Sequence, residues 1–176
     1  MIKNYLKDQS GFSIIESLVS ILILTVALVP VFTVISSAAD ISNNIKNNFI
    51  AANLAQEGIE VVRSIRDRNW FIDPIPNPPY PLTNPPSGTL IGTWRVQWDS
   101  ELLVAVGSNP PLLIDANGIY NYTTGARTLF RRRIIIEDAN LANPDKDMRV
   151  ISEVTWVAKG NITRTVRAES HLYNWR

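Results

Sequence analysis

The 176-residue chain contains no cysteine and a single histidine, His171. Without cysteine there is no disulfide framework, no thiolate metal site and no cysteine nucleophile. One imidazole supplies neither a pair of histidine ligands nor a histidine relay, which leaves His171 as a core or surface residue. An excess of charge of either sign is also missing: 17 Lys and Arg stand against 16 Asp and Glu, for a net charge of +1. Composition therefore does not mark a general polyanion binder. The length fits one ordinary domain with an appended element.

The clearest positive feature is a long apolar run. Residues 14 to 35 read IIESLVSILILTVALVPVFTVI, and as a helix these span about 33 Å, enough to cross a hydrocarbon core. The ten residues before Gly11 are polar and include Lys3 and Lys7, whereas no Lys or Arg follows until Lys46. The positive-inside rule then keeps the N-terminus cytoplasmic and exports the rest.

Glu16 is out of place in such a run. A plain single-pass anchor gives no reason for it, since an acid costs roughly 2.5–3.5 kcal/mol at mid-helix and less near an end. A cleaved secretory signal is a second reading, because Ser36 to Ala39 (SSAA) offers small residues for cleavage before Asp40. Its apolar region exceeds the roughly 7–15 residues of such signals, and it leaves Glu16 equally unexplained.

The stretch Gly11-Phe12-Ser13-Ile14-Ile15-Glu16 after a short basic leader resembles the processing site of type IV prepilins and type II secretion pseudopilins. The resemblance implies that a prepilin peptidase cuts between Gly11 and Phe12 and that Phe12 becomes the N-methylated first residue. Glu16 is then the acid that pairs with the N-terminal amine of a neighbouring subunit during assembly. Such opposite charges attract strongly where the dielectric is low. On this reading Glu16 is a docking charge rather than a catalytic one.

Helical periodicity continues beyond the apolar run. Ile41, Ile45, Phe49, Ala52, Ala55, Ile59 and Val62 recur at three- and four-residue steps among Asn43, Asn44, Lys46, Asn47, Asn53, Glu57 and Glu60, which predicts an amphipathic second half. A continuous helix from Phe12 to about Asp67 would be about 84 Å long. Pro30 removes one helical hydrogen bond and predicts a kink that membrane helices tolerate. Gly58 reads as a close-packing point rather than a hinge. Glu57 and Glu60 read as a solvated helix face with a Glu60–Arg63 pair, not as a catalytic acid pair. Residues 51 to 70, AANLAQEGIEVVRSIRDRNW, resemble the same part of the long helix in minor pilins and minor pseudopilins.

Residues 73 to 87, DPIPNPPYPLTNPPS, hold seven of the 11 prolines and read as an extended surface loop. After it the period changes from 3.6 to 2. Residues 93 to 98 place Trp94, Val96 and Trp98 on one strand face, and further strands are expected at 102–106, 128–137, 149–159 and 162–173. Gly160-Asn161 reads as a two-residue type II′ turn joining the last two. Trp94, Trp98 and Trp156 read as core or sheet-face packing. The last hairpin resembles the terminal hairpin of minor pilins. The expected fold is α+β and pilin-like: a long N-terminal helix, its first half membrane-spanning, packed on a C-terminal antiparallel sheet.

Two local features read as structural. Arg131, Arg132 and Arg133 sit on a strand whose alternation sends the middle one to the opposite face, leaving a solvated edge strand rather than a phosphate-binding patch. Nucleic acid is not indicated. Asp115-Ala116-Asn117-Gly118 lacks the later bidentate acid of a calcium loop and reads as a turn, so no metal or cofactor is assigned. Tyr80, Tyr120 and Tyr122 are loop residues available to a ligand.

The domain expectation is a removed leader at 1–11, a transmembrane half-helix at 12–35, an amphipathic half-helix at 36–70, and a proline-rich loop with an antiparallel sheet at 71–176. The resemblance implies a non-enzymatic filament subunit of a type IV pilus or type II secretion-like filament. Its implied partners are prepilin peptidase, other pilin or pseudopilin subunits, the assembly machinery and membrane lipid. It would be a single-pass membrane protein before assembly and part of an extracytoplasmic filament afterwards. The absence of cysteine departs from the many pilins that close a C-terminal loop with a disulfide. The alternative is a single-pass membrane-anchored extracytoplasmic binding protein, distinguished by whether its N-terminus is processed.

Overall fold

The computed structural model describes residues 11, 13–72, 91–138 and 147–173. The proline-rich stretch, Tyr80 and Phe12 lie outside the described residues. One helix, α1 (Ile14–Ile72, 59 residues), is followed by eight strands: β1 (Gly92–Arg95), β2 (Val104–Ala105), β3 (Leu113–Ile114), β4 (Tyr120–Asn121), β5 (Ala126–Arg127), β6 (Arg131–Asp138), β7 (Asp147–Ala158) and β8 (Ile162–Tyr173). The chain divides into two compact units, residues 1–45 and 46–176.

In the first unit α1 is predominantly apolar from Ile14 to Ile35 and exposed throughout that stretch, with Ile14 at 82% and Ile35 at 59%. Nothing in the unit covers it, so an aqueous setting would leave a long row of β-branched and leucine side chains in water. It is the one helix among the described residues long and apolar enough to cross a membrane, with a mean hydropathy of 2.8 in its most apolar window.

In the second unit the outer part of α1 packs on a five-stranded antiparallel sheet of order β2-β1-β6-β7-β8. This is the α+β arrangement expected from the change of period. The buried stripe of the helix is Ala51, Leu54, Ala55, Ile59, Val62 and Ile65, at steps of three and four. Beneath it, alternate residues of β7 face the helix: Val150, Ser152, Val154 and Trp156, at most 2% exposed. Two core clusters result. Ile59, Val62 and Ile65 meet Val96, Ile134, Ile136 and Val150, whereas Ala51, Leu54 and Ala55 meet Leu112, Phe130, Val154 and Trp156. Each fully buried Val, Leu or Ile contributes about 1.5–3 kcal/mol relative to exposure.

The expected apolar stripe is corrected at its start. Ile41, Ile45 and Phe49 are 58%, 50% and 68% exposed, because the periodicity continues past the point where packing on the sheet begins. The first buried position is Ala51. Gly58 is a close-packing point: an added Cβ would collide with Ser152 Oγ and stand 2.8 Å from Ile134 Cδ1.

The strand expectations hold for β1, β2, β6, β7 and β8 in place but not in every detail. β1 stops at Arg95 because Gln97 and Ser100 form a turn, with Ser100 N–H donating to Gln97 O at 3.0 Å and Gln97 N–H to Ser100 Oγ at 2.9 Å. Trp98 therefore leaves the sheet and is 56% exposed, whereas Trp156 is buried and Trp94 packs on the core. The β7–β8 connection has three residues, since Ala158 pairs with Ile162. Gly160 and Asn161 both have positive φ, 80° and 60°. A two-residue type II′ turn would need it only at the first position.

The second sheet, of order β4-β3-β5, was not legible in the sequence. Its strands are two residues each, too short to alternate, and are completed by Leu112 N–H to Phe130 O and Thr128 N–H to Leu112 O bonds of 2.8 and 3.0 Å.

Candidate functional site

Gly11 is exposed and precedes the helix. Ser13 stands immediately before α1, and its carbonyl accepts the Ser17 N–H at 3.1 Å, the first rung of the helical ladder. Glu16 follows in the first helical turn, where an acid is favoured by the positive end of the helix dipole. Its side chain is exposed, and among the described residues no cation pairs with it. The helix thus presents a lone carboxylate at the head of a bare apolar cylinder, beside the proposed cleavage point.

Farther along, four hydroxyls bond to backbone carbonyls of their own helix three or four residues earlier. Ser20 Oγ donates to Glu16 O at 2.7 Å, Thr25 Oγ1 to Leu22 O at 2.8 Å, Thr33 Oγ1 to Pro30 O at 2.7 Å and Ser37 Oγ to Thr33 O at 2.9 Å. Such bonds let hydroxyls reside in hydrocarbon without unpaired donors. The sequence reading missed them, although i−3 and i−4 spacing of Ser and Thr was a signal for them. Helical structure runs continuously through Pro30, which lacks the N–H that would bond Val26 O. These features leave Glu16 as the exceptional polar group of the segment.

The second unit holds a buried polar strut in place of the expected solvated edge. Alternation turns Arg132 toward the helix, as expected, but β6 lies in the middle of the sheet and the Arg132 side chain is fully buried. Arg132 Nη1 donates to Leu54 O and Glu57 Oε1, each at 2.9 Å, and Nη2 donates to Val96 O at 2.7 Å. Glu57 is therefore the helix's ionic tether rather than part of a solvated face. The Glu60–Arg63 pair forms at 2.7 Å as expected.

Tyr120 and Tyr122 are half-buried and both make contacts within the fold. Tyr120 packs edge-on to Phe130, with ring centroids 6.3 Å apart, and Tyr122 Oη donates to Arg132 O at 3.0 Å. Burial raises the pKa of the Tyr122 phenol, against a lowering by Arg132. Asp115 makes a turn: its Oδ1 accepts the N–H groups of Asn117 and Ile119 at 2.8 and 2.9 Å. Its carboxylate is thereby committed to the backbone. His171 is a surface residue, stacked on Tyr173 at 6.1 Å and 3.6 Å from Glu169.

The lone acid, the exposed apolar helix and the small residue before it meet in one short segment. The sequence profile of the prokaryotic N-terminal methylation motif matches residues 6–32. The chain carries that motif. The match takes in Gly11, Phe12, Glu16 and Pro30 and supports a prepilin-like protein, a family that is structural rather than catalytic. The motif implies processing by a prepilin peptidase and assembly with other pilin subunits, and with the apolar helix it supports membrane anchoring. No curated protein and no solved structure matches the chain.

Proposed function

We propose that this prepilin-like chain is a structural subunit, a minor pilin or pseudopilin, of a type IV pilus or type II secretion-like filament. The observation that carries this reading is the unpaired Glu16 in the first turn of an exposed apolar helix, inside the methylation motif. Residues 1–11 form the removed leader, residues 12–35 the membrane-spanning half-helix, residues 36–70 the amphipathic half and residues 71–176 the exported domain.

Cleavage between Gly11 and Phe12 frees a cationic amine. In the low dielectric of the membrane that amine on one subunit and Glu16 on its neighbour attract strongly, whereas either charge alone is costly there. Docking thereby couples filament entry to prior processing. The leader's Lys3 and Lys7 hold the N-terminus on the cytoplasmic side until then. Pro30 opens one rung of the helix and gives a point for it to bend as subunits pack.

Intact-mass and N-terminal peptide analysis of the membrane-derived protein from its native host tests the reading. A chain that starts at N-methylated Phe12 is the expected result. A start at Met1 would mean an ordinary anchor, and one at Asp40 a secreted domain; either removes the filament role.

A further inference from the structure

Two strands of the five-stranded sheet change charge along their length in the same sense. β6 begins with Arg131, Arg132 and Arg133 and reaches its first acid at Glu137, and β8 carries Arg164 and Arg167 before Glu169. Both pair antiparallel with β7 between them, so their basic beginnings lie at one end of the sheet. The neighbouring segments keep the pattern. From Asn117 to Ile136 the chain has four arginines and no acid, and from Val154 to Ala168 one lysine, two arginines and no acid. Arg132 is buried against Glu57, but Arg127 and Arg164 are exposed, and among the described residues no acid pairs with either.

The same end exposes apolar side chains. Val157 and Ile162 flank the β7–β8 turn at 51% and 57%, and Leu129, two residues before the start of β6, is 60% exposed. This is also the end at which the unit begins. β7 runs against α1, since Val150 belongs to the core cluster of Ile59 and Val62, and Trp156 to that of Ala51 and Leu54. From Trp156 the hairpin continues four residues to Gly160, about 13 Å, whereas α1 covers about 8 Å from Ala51 back to Lys46, the first residue of the unit. The turn therefore extends at least as far as Lys46 does. Eleven residues before Lys46 the apolar run ends at Ile35.

We infer that this basic end of the sheet, with Val157 and Ile162 at its tip, is a second membrane contact that rests on anionic lipid headgroups. The bilayer is the one holding the first half of α1, so the inference depends on the reading of residues 12–35 as membrane-spanning. That tether selects the occupant, because a segment anchored eleven residues away keeps this end of the unit near a lipid surface. Cations around a few exposed apolar side chains suit shallow seating among anionic headgroups. The far end of the sheet, with Glu137 and Glu169, would meet the same surface with like charge. Exposed charge also makes the contact reversible by salt.

The absence of cysteine allows single thiols to be placed in the full-length chain. Val157→Cys reports on the turn, and Tyr173→Cys, at the far end of β8, is the control. Each is labelled with a fluorophore and reconstituted at one copy per nanodisc with a quencher on the lipid headgroups, in phosphatidylcholine with or without phosphatidylglycerol. In anionic discs, quenching at position 157 is expected to exceed that at 173 by about threefold or more, and the excess to fall at least by about half in neutral lipid or in about 0.5 M salt. Arg127→Glu with Arg164→Glu, added to Val157→Cys, should reduce the excess similarly, with tryptophan fluorescence reporting that the unit stays folded. Equal quenching at the two positions, or an excess indifferent to lipid charge and salt, would overturn the proposal. An excess seen only in discs holding two copies would overturn it as well, by assigning the surface to a neighbouring subunit. A chain that does not enter discs at all would remove the membrane-spanning reading, and the proposal with it.

Discussion

Arg132 Nη1 donates to both Glu57 Oε1 and the Leu54 carbonyl at 2.9 Å, so one fully buried guanidinium on β6 holds two successive points of the helix against the sheet. Nη2 extends the same anchor to Val96 O at 2.7 Å. Loss of the acid would leave the cation buried without its counter-charge.

Glu57→Leu is accordingly expected to destabilise the second unit by about 1–3 kcal/mol. That is below the 3–5 typical of a broken buried pair, because Glu57 is itself a third exposed and water can partly replace it. Glu57→Leu combined with Arg132→Met should cost less than the sum of the two single changes. Urea unfolding followed by tryptophan fluorescence gives the cycle, and strictly additive effects would show that the pair contributes nothing.

Gly58→Ala should cost about 1–3 kcal/mol, because the new methyl group meets Ser152 Oγ and Ile134 at the point where helix and sheet come closest. Ser152→Gly in the same chain removes the obstructing atoms and should return part of that loss. An unchanged urea midpoint for the single variant would mean that the helix can shift away freely.

Acid should weaken the sheet through Glu153 and Glu169. Burial raises the Glu153 pKa, but bonds from Arg167 and Arg133 outweigh it, and the carboxyl ends below its ordinary value. A hydrogen bond from Arg149 lowers that of Glu169. Carboxyls with depressed folded-state pKa values add stability that is fully present above the ordinary carboxylate range and is lost as pH falls through the folded values. Stability should therefore be level near neutrality and decline below about pH 4.5, with a shallower decline in Glu153→Gln. A variant with the parent's acid limb would place the protons elsewhere.

Glu16→Ala is expected to leave processing between Gly11 and Phe12 intact while abolishing incorporation into filaments. Immunoblots of membrane and sheared-filament fractions separate the two steps. Normal incorporation of the variant would eliminate the docking role of Glu16.

The parts of this protein that depend on local pattern can be read without its tertiary structure. A long apolar run with one acid at its head defines a helix and a motif without reference to any distant residue, and a change of period from 3.6 to 2 marks where helix gives way to sheet. The long strands β6, β7 and β8 were legible because eight to twelve residues of alternation leave little doubt about their faces. Tertiary structure decided whatever depends on which elements become neighbours. Ile41, Ile45 and Phe49 carry the same periodic signal as Ile59 and Val62, yet only the latter meet a sheet. Trp98 has the right spacing for the core but follows a turn that takes it out. Arg132 was correctly turned to the opposite face by alternation, but no local pattern could show that β6 would lie between β1 and β7 with Glu57 above it. Strand order is set by long-range pairing, and a side chain's burial and charge partners follow from that pairing rather than from its own neighbours in the chain.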